Sequence, residues 1–259
     1  MDLGIAGKTA IVCASTQGLG RACAEALLAE GVDVTINGRH EDRTRDVAAE
    51  LAGLAGRDVG WVAADITTRD GRERLIAACE SPDILITNNA GPTPGAFQEL
   101  DEEDWLAALN THMLAPLALV RAVLPGMRSR KFGRIVTITS AMVTRPNAGM
   151  EISTGPRTGL TAVLKAVSRD AVRDNVTINN MLPERIDTPR QIQMAHRIAK
   201  REGVDYDEAR RIQAQMVAAG RLGLPEEFGA ACAFLCSVQA AFIAGQNLRL
   251  DGGSYPGLV

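Results

Sequence analysis

The sequence predicts an α/β fold, a doubly wound parallel sheet of about seven strands with helices on both faces, and three observations carry that expectation. Short β-branched runs alternate with amphipathic helical patterns along the 259 residues, as strands buried on both faces of a parallel sheet require. The first strand passes through a short polar turn, Ser15-Thr16-Gln17-Gly18-Leu19-Gly20, directly into a helix. No internal repeat, low-complexity tract or linker divides the chain. Residues 1–259 therefore read as one domain, a length at which α/β folds often stay undivided.

Taken in order, a hydrophobic strand over 9–14 leads through that turn to a helix reaching Glu30. A helix starting directly after a buried strand points its unpaired N–H groups, and the positive end of its dipole, at whatever occupies the turn. That arrangement suits a phosphate. Gly18 and Gly20 remove side chains where backbone and helix approach a ligand, although Ala14 stands where a first glycine is expected. A strand over 32–36, a charged helix over 40–54 and a short strand over 59–63 follow. Further strands are predicted over 83–87, 133–139, 176–179 and 246–250, with helices over 101–127, 153–173 and 225–237. From 188 to 220, two polar, Arg/Gln-rich helical stretches interrupt the alternation. Ligands of such sheets bind outside the carboxyl ends of the strands, so this insertion reads as a substrate lid, with an oligomer contact as the alternative.

Composition narrows the partners. Aromatic residues make up 3% of the chain and the net charge is −3 without a basic run, which argues against a nucleic-acid partner. No apolar stretch is both long and uncharged enough to span a bilayer, and Met1-Asp2-Leu3-Gly4 does not resemble a secretory signal. The five cysteines include no Cys-x-x-Cys pair. Cys232 and Cys236, one helical turn apart in an alanine-rich segment, read as buried small hydrophobes rather than metal ligands. The expectation is a cytoplasmic enzyme acting on a small molecule, with no membrane or metal.

Three motifs recur in order and at fixed places: the loop from Cys13 to Gly20, Asn88-Asn89-Ala90-Gly91 after the fourth strand, and the ending Leu250-Asp251-Gly252-Gly253. Together they make the chain resemble the short-chain dehydrogenase/reductase family over nearly its whole length. The resemblance implies a Rossmann-type sheet, a nicotinamide cofactor and a homotetramer. It implies cofactor contacts at Ala14, Ser15, Gln17, Gly18, Leu19 and Gly20 in the first turn, and at Asp65 and Ile66 beside the adenine. Asn89, Ala90 and Gly91 would lie against a ribose, and Pro183, Glu184 and Ile186 beside the nicotinamide. Asn88 reads as a turn residue tying strands together. Relatives that use NAD usually end the second strand with an acid; here it runs into Asn37-Gly38-Arg39. A guanidinium at Arg39 can pair with a 2′-phosphate that a carboxylate would repel, which favours NADP over NAD. A solvated loop charge is the alternative for Arg39.

The family's catalytic set is an Asn, a Ser and a Tyr-x-x-x-Lys helix turn. By resemblance Asn110 and Ser140 fill the first two places. The third reads Ser153-x-x-x-Arg157, a spacing that still puts both side chains on one helix face. A serine is a far weaker acid than a phenol, and removing a positioned general acid typically loses about 10²–10⁴ in rate. Arg157 can bond a ribose through its planar fork but exchanges no proton at neutral pH. Glu184 takes the place of the glycine in the family's Pro-Gly turn, either as a shielded acid or as a partner of Arg185 or Arg157. His112 reads as a packed or interface histidine, and Tyr206 as a helix-surface residue. Gly91-Pro92-Thr93-Pro94-Gly95, Ser-x-x-x-Arg and the segment from Thr177 to Pro183 resemble a divergent branch often named after 3-oxoacyl carrier-protein reductases. Three functions compete: an NADP-dependent carbonyl reductase or alcohol dehydrogenase with an atypical proton donor, a lyase or isomerase on the same scaffold, and a non-catalytic nucleotide-binding partner.

Overall fold

In the computed structural model, which describes residues 2–91 and 95–258, seven strands form one sheet. They are β1 (Thr9–Val12), β2 (Asp33–Gly38), β3 (Gly60–Ala63), β4 (Ile84–Thr87), β5 (Gly133–Ile138), β6 (Val176–Pro183) and β7 (Asn247–Leu250). Their order is β3-β2-β1-β4-β5-β6-β7 and every pairing is parallel. The direction of winding reverses between β1 and β4, and that reversal opens a crevice at the carboxyl ends of the strands.

Side chains alternate between two cores, as the period of a strand demands. Ala10 and Val12 of β1 and Ile84 and Ile86 of β4 face one core, with Leu27 of α1 (Gly18–Ala29), Val47 of α2 (Glu41–Ala55) and Phe228 of α9 (Pro225–Cys236). Ile11 and Leu85 face the other, with Leu75 of α3 (Arg69–Ala77), Leu119 and Val123 of α5 (Ala115–Ser129) and Leu160 and Leu164 of α6 (Glu151–Ala171). Cys232 and Cys236 are fully buried in the first core, as small hydrophobes. The insertion forms a helical hairpin, α7 (Pro189–Glu202) and α8 (Tyr206–Gln215), with its own small core of Ala195, Ile198 and Ala209. Arg210 pairs with Asp187 at 2.6 Å, and Tyr206 lies against His196 on the hairpin surface.

Four elements differ from the sequence expectation, one of them α3, for which the sequence predicts no helix. β1 ends at Val12 because Ala14 adopts a left-handed backbone, φ 46°. β6 runs four residues past Asn179, because pairing with β7 carries it through Asn180 to Pro183. The helix expected over 101–127 is α4 (Glu102–Leu109) and α5 joined by a π-helical turn, Asn110–Leu114. The continuous run Glu102–Ser129 is apolar and long enough by composition to cross a membrane. In this fold it is a core helix, with Ala115, Leu119, Val120, Val123 and Met127 buried against the sheet.

Close approach of α1 and α9 limits what Gly229 can become: a Cβ there would lie 2.4 Å from the Ala22 carbonyl oxygen. Gly229→Ala must push the helices apart, and urea unfolding should show a loss of about 1–3 kcal/mol. Ala230→Ser, on the exposed side of the same helix, should stay within about 0.5 kcal/mol.

Candidate active site

The first turn is fastened from beneath. Ser15 is fully buried; its hydroxyl donates to the Val12 carbonyl at 2.7 Å and accepts the Asn37 N–H at 3.0 Å. The Ser15 side chain therefore braces β1 against β2 and leaves any ligand contact to its neighbours. Asn88 donates from Nδ2 to the Ala14 carbonyl at 3.3 Å, tying β4 to β1 at the point of reversal. A Cβ on Gly20 would meet the Ala14 oxygen at 2.4 Å and Asn88 Nδ2 at 2.9 Å, so only glycine lets α1 start this close to the strands. No side chain caps α1, with Gln17 at its N-cap, and its first turn contains no acid. The N–H groups of Gly18, Leu19 and Gly20 are thus presented to the crevice, which fits the pyrophosphate of a dinucleotide. Thr188, at the base of the hairpin, closes over Gly18, with carbons 3.6 Å from where its Cβ would be.

The outer end of the site follows from β2 and β3. Arg39 stands exposed immediately after Gly38, and Arg43, in the first turn of α2, donates to the Gln17 side chain. The Asn37 amide is buried and donates to the Val62 and Ala64 carbonyls at 3.1 and 3.0 Å. That leaves Arg39 and Arg43 as cations at the crevice mouth. Asp65 is exposed after β3, and Ile66 is buried beneath it. Burial raises the Asp65 carboxyl, but the N–H and hydroxyl of Thr67 and the charge of Arg39 outweigh it and hold the group below the usual carboxylate range. Asn89 donates to the Thr111 carbonyl at 2.6 Å. Ala90 and Gly91 continue the turn, and Pro92, Thr93 and Pro94 lie outside the described residues.

The catalytic positions separate into two places. Ser153 and Arg157 of α6 are 2% and 8% exposed, and Arg157 Nη1 donates to Ser153 Oγ. Arg157 lines a small cavity with Asn88, Asn89 and His112. Burial, then the charge of Arg190, push Arg157 down to about 10, so it stays protonated at neutral pH. Ser140, at the end of β5, instead faces a larger cleft of about 220 Å³, shared with Met142, Pro183, Glu184 and Met194. Its Oγ accepts the Met142 N–H at 3.2 Å, which leaves the hydroxyl proton free to donate. Ile186 is buried below the same turn. Asn110 opens the π turn and donates to the Thr67 carbonyl at 3.1 Å, so its amide holds the loop between β3 and α3 and does not line either cavity.

His112 is the residue that sequence reasoning undervalued. The π turn brings its imidazole, 4% exposed, beside Arg157. α-Helical spacing from Asn110 could only say that the two side chains diverge. Glu184, considered as a partner for Arg185 or Arg157, forms no ion pair with either among the described residues. Tyr255 packs on the Arg249 guanidinium, 3.3 Å from the ring centroid, and does not itself line the cleft.

The chain is similar to known proteins over nearly its whole length. A family model described as enoyl-(acyl carrier protein) reductase matches residues 13–255. The chain is 31% identical over 251 residues to the 3-oxoacyl-[acyl-carrier-protein] reductase FabG of Escherichia coli, covering 96% of this chain and 98% of that protein. Among solved structures it is similar to L-sorbose reductase from Gluconobacter frateurii complexed with NADPH and L-sorbose, at 29% identity and a TM-score of 0.95 over 100% of both chains. A 3-oxoacyl (acyl-carrier-protein) reductase from Agrobacterium tumefaciens C58 with NADP bound is 28% identical, with a TM-score of 0.87 over 97% of this chain and 96% of that one.

The imidazole beside Arg157 gives a pH test. Burial, then the Arg157 charge, push His112 down to about 3, while an unfolded histidine titrates near 6.5. Between those values the unfolded chain holds more protons. The His112 contribution is thus fully present above about pH 6.5 and is lost as pH falls toward 3. Urea titrations from pH 7 to 4 should show a shallower loss of stability in His112→Asn than in the wild type; parallel curves would place His112 outside this linkage.

Proposed function

The chain belongs to the short-chain dehydrogenase/reductase family and is an NAD(P)-dependent oxidoreductase acting on CH–OH groups, and from that premise we propose that it interconverts a small carbonyl compound and its alcohol using NADP, with Ser140 as the proton donor. The observation that carries this reading is the division of the site: the Ser140 hydroxyl faces the cleft, whereas Ser153 is buried behind the Arg157 guanidinium.

The N–H groups at the start of α1 would hold the pyrophosphate, and Arg39, with Arg43 across the turn, the 2′-phosphate. Arg157 would hold the nicotinamide ribose through its fork of donors. Bound there, the cofactor supplies or accepts a hydride. Ser140 donates a hydrogen bond to the carbonyl oxygen, stabilising the negative charge that grows on it. As the hydride arrives, the Ser140 proton passes to the alkoxide oxygen while a water in the open cleft gives a proton to Ser140 Oγ and leaves as hydroxide to bulk solvent, so the serine never has to ionise. Ser153 holds the Arg157 fork in place. The hairpin of α7 and α8 serves as the substrate lid, because Arg190, Gln191 and Met194 of α7 form part of the cleft wall. We place the enzyme in the cytoplasm as a homotetramer, on family likeness.

Single-turnover stopped-flow loss of NADPH absorbance across a ketone panel tests this assignment. Ser140→Ala should slow the step by about 10²-fold or more, and Ser153→Ala by less than tenfold. The reverse ranking would make Ser153 the proton source. Silence over the panel with NADPH bound would favour a nucleotide-binding member without redox turnover.

A further inference from the structure

The cleft that Ser140 faces is cationic. Three guanidiniums line it, those of Arg145, Arg185 and Arg190, against the single carboxylate of Glu184. Arg145 is exposed, whereas Arg185 and Arg190 are half-buried, so these two set the character of the interior.

Arg185 is held in an unusual way. Its backbone is left-handed, φ 51°, a conformation that residues with a side chain seldom adopt. The turn around it is pinned on both sides: the Glu184 N–H donates to the Leu250 carbonyl at 3.0 Å, and the Arg185 carbonyl accepts the Gly223 N–H at 3.1 Å. The turn therefore fixes where the Arg185 side chain leaves the backbone. Its Nε is buried and has no hydrogen-bond partner, and an unmade bond at a buried charged donor is expensive unless a ligand completes it.

Arg190 lies in the first turn of α7, a fourteen-residue helix with no acid in that turn and no side-chain cap from Thr188. The positive end of the helix adds to the guanidinium charge there. Burial, then the charge of Arg197, lower the Arg190 pKa, and Arg190 in turn lowers that of Arg157. Arg190 thus stands among like charges, and an anion in the cleft beside it relieves that repulsion. The volume of about 220 Å³ is smaller than the roughly 300–1,000 Å³ of sites for drug-sized ligands, so the occupant is compact.

We infer that the substrate of this site is a short oxo acid, or the corresponding hydroxy acid, whose carboxylate is seated by Arg185 and Arg190 while its carbonyl oxygen meets Ser140 in the same cleft. The inference rests on the redox reading for its turnover measurement but not for its binding measurement.

The test uses the NADPH-loaded protein with short 2-oxo and 4-oxo acids, the methyl esters of the same acids, and hydroxyacetone phosphate. Binding is followed by calorimetry and turnover by NADPH absorbance, in the wild type, Arg185→Met and Arg190→Met. At least one acid should bind, and be reduced, roughly tenfold to a hundredfold better than its ester, and that ratio should fall toward one in Arg185→Met. Equal acids and esters throughout, or a preference that survives both variants, would overturn the inference. So would a preference for hydroxyacetone phosphate over every acid, which would make the recognised anion a phosphate. Variants that weaken NADPH binding and leave the acid-to-ester ratio unchanged would assign the two arginines to the cofactor and also overturn it. If nothing turns over, an acid that binds tenfold tighter than its ester and loses that advantage in Arg185→Met supports the carboxylate seat, and only the redox reading falls.

Discussion

A guanidinium buried at the carboxyl edge of the sheet, with no ion pair to a carboxylate among the described residues, is the constraint that organises this site. Arg157 is 8% exposed and donates to Ser153. An unpaired buried charge is strongly unfavourable unless polar groups or a ligand compensate it. Its neighbours conform to that demand. Ser153 turns its oxygen to the guanidinium and His112 is kept neutral beside it, whereas Arg190 from the hairpin adds a second positive charge and sharpens the demand. The same charge suits the hydroxyls of a ribose, which is the anchoring role we propose for this helix turn.

In the reading we propose, loss of the phenol moves proton chemistry to Ser140 rather than abolishing it. Ser140 lies two residues past the end of β5 and caps the short 3₁₀ turn Ala141–Val143, and its oxygen is oriented by the Met142 N–H. A hydroxyl positioned this way donates to a carbonyl oxygen without needing to ionise, and the cleft before it admits water. Where a phenol beside an ammonium lowers the barrier by proton transfer, this arrangement relies on electrostatic orientation of the substrate oxygen and, with Arg185 and Arg190 in the same cleft, of the rest of the substrate.

Most of the sheet was legible because buried parallel strands leave continuous β-branched runs, and all seven strands stand where those runs lie. α3 left little trace, since only Gly71 and Leu75 of its nine residues are buried and the rest are charged or half-exposed. The extension of β6 was hidden as well: Asn180 lacks strand propensity and is held by its edge partner, Nδ2 donating to Asn247 Oδ1 at 2.9 Å. In the site, the uncapped start of α1 and the Asn88 tie follow from motif and spacing. Ser15 resembled a ligand contact by position, yet its hydroxyl turns into the sheet, and nothing in its spacing reports that direction. The place of His112 depends on a π turn, which breaks the angular arithmetic of an α-helix. The cationic cleft joins residues from the loop after β5, the turn after β6 and the start of α7, a grouping that only the fold assembles.

Calorimetric titration of NADPH into the wild type and Arg157→Met at neutral pH tests the central claim most directly. A buried guanidinium replaced by an apolar side chain of similar length often leaves stability unharmed, so the variant isolates the binding role. The account predicts saturable one-to-one binding to the wild type and an affinity at least tenfold weaker in Arg157→Met. Equal affinities, or a wild type that takes up no NADPH, would contradict it.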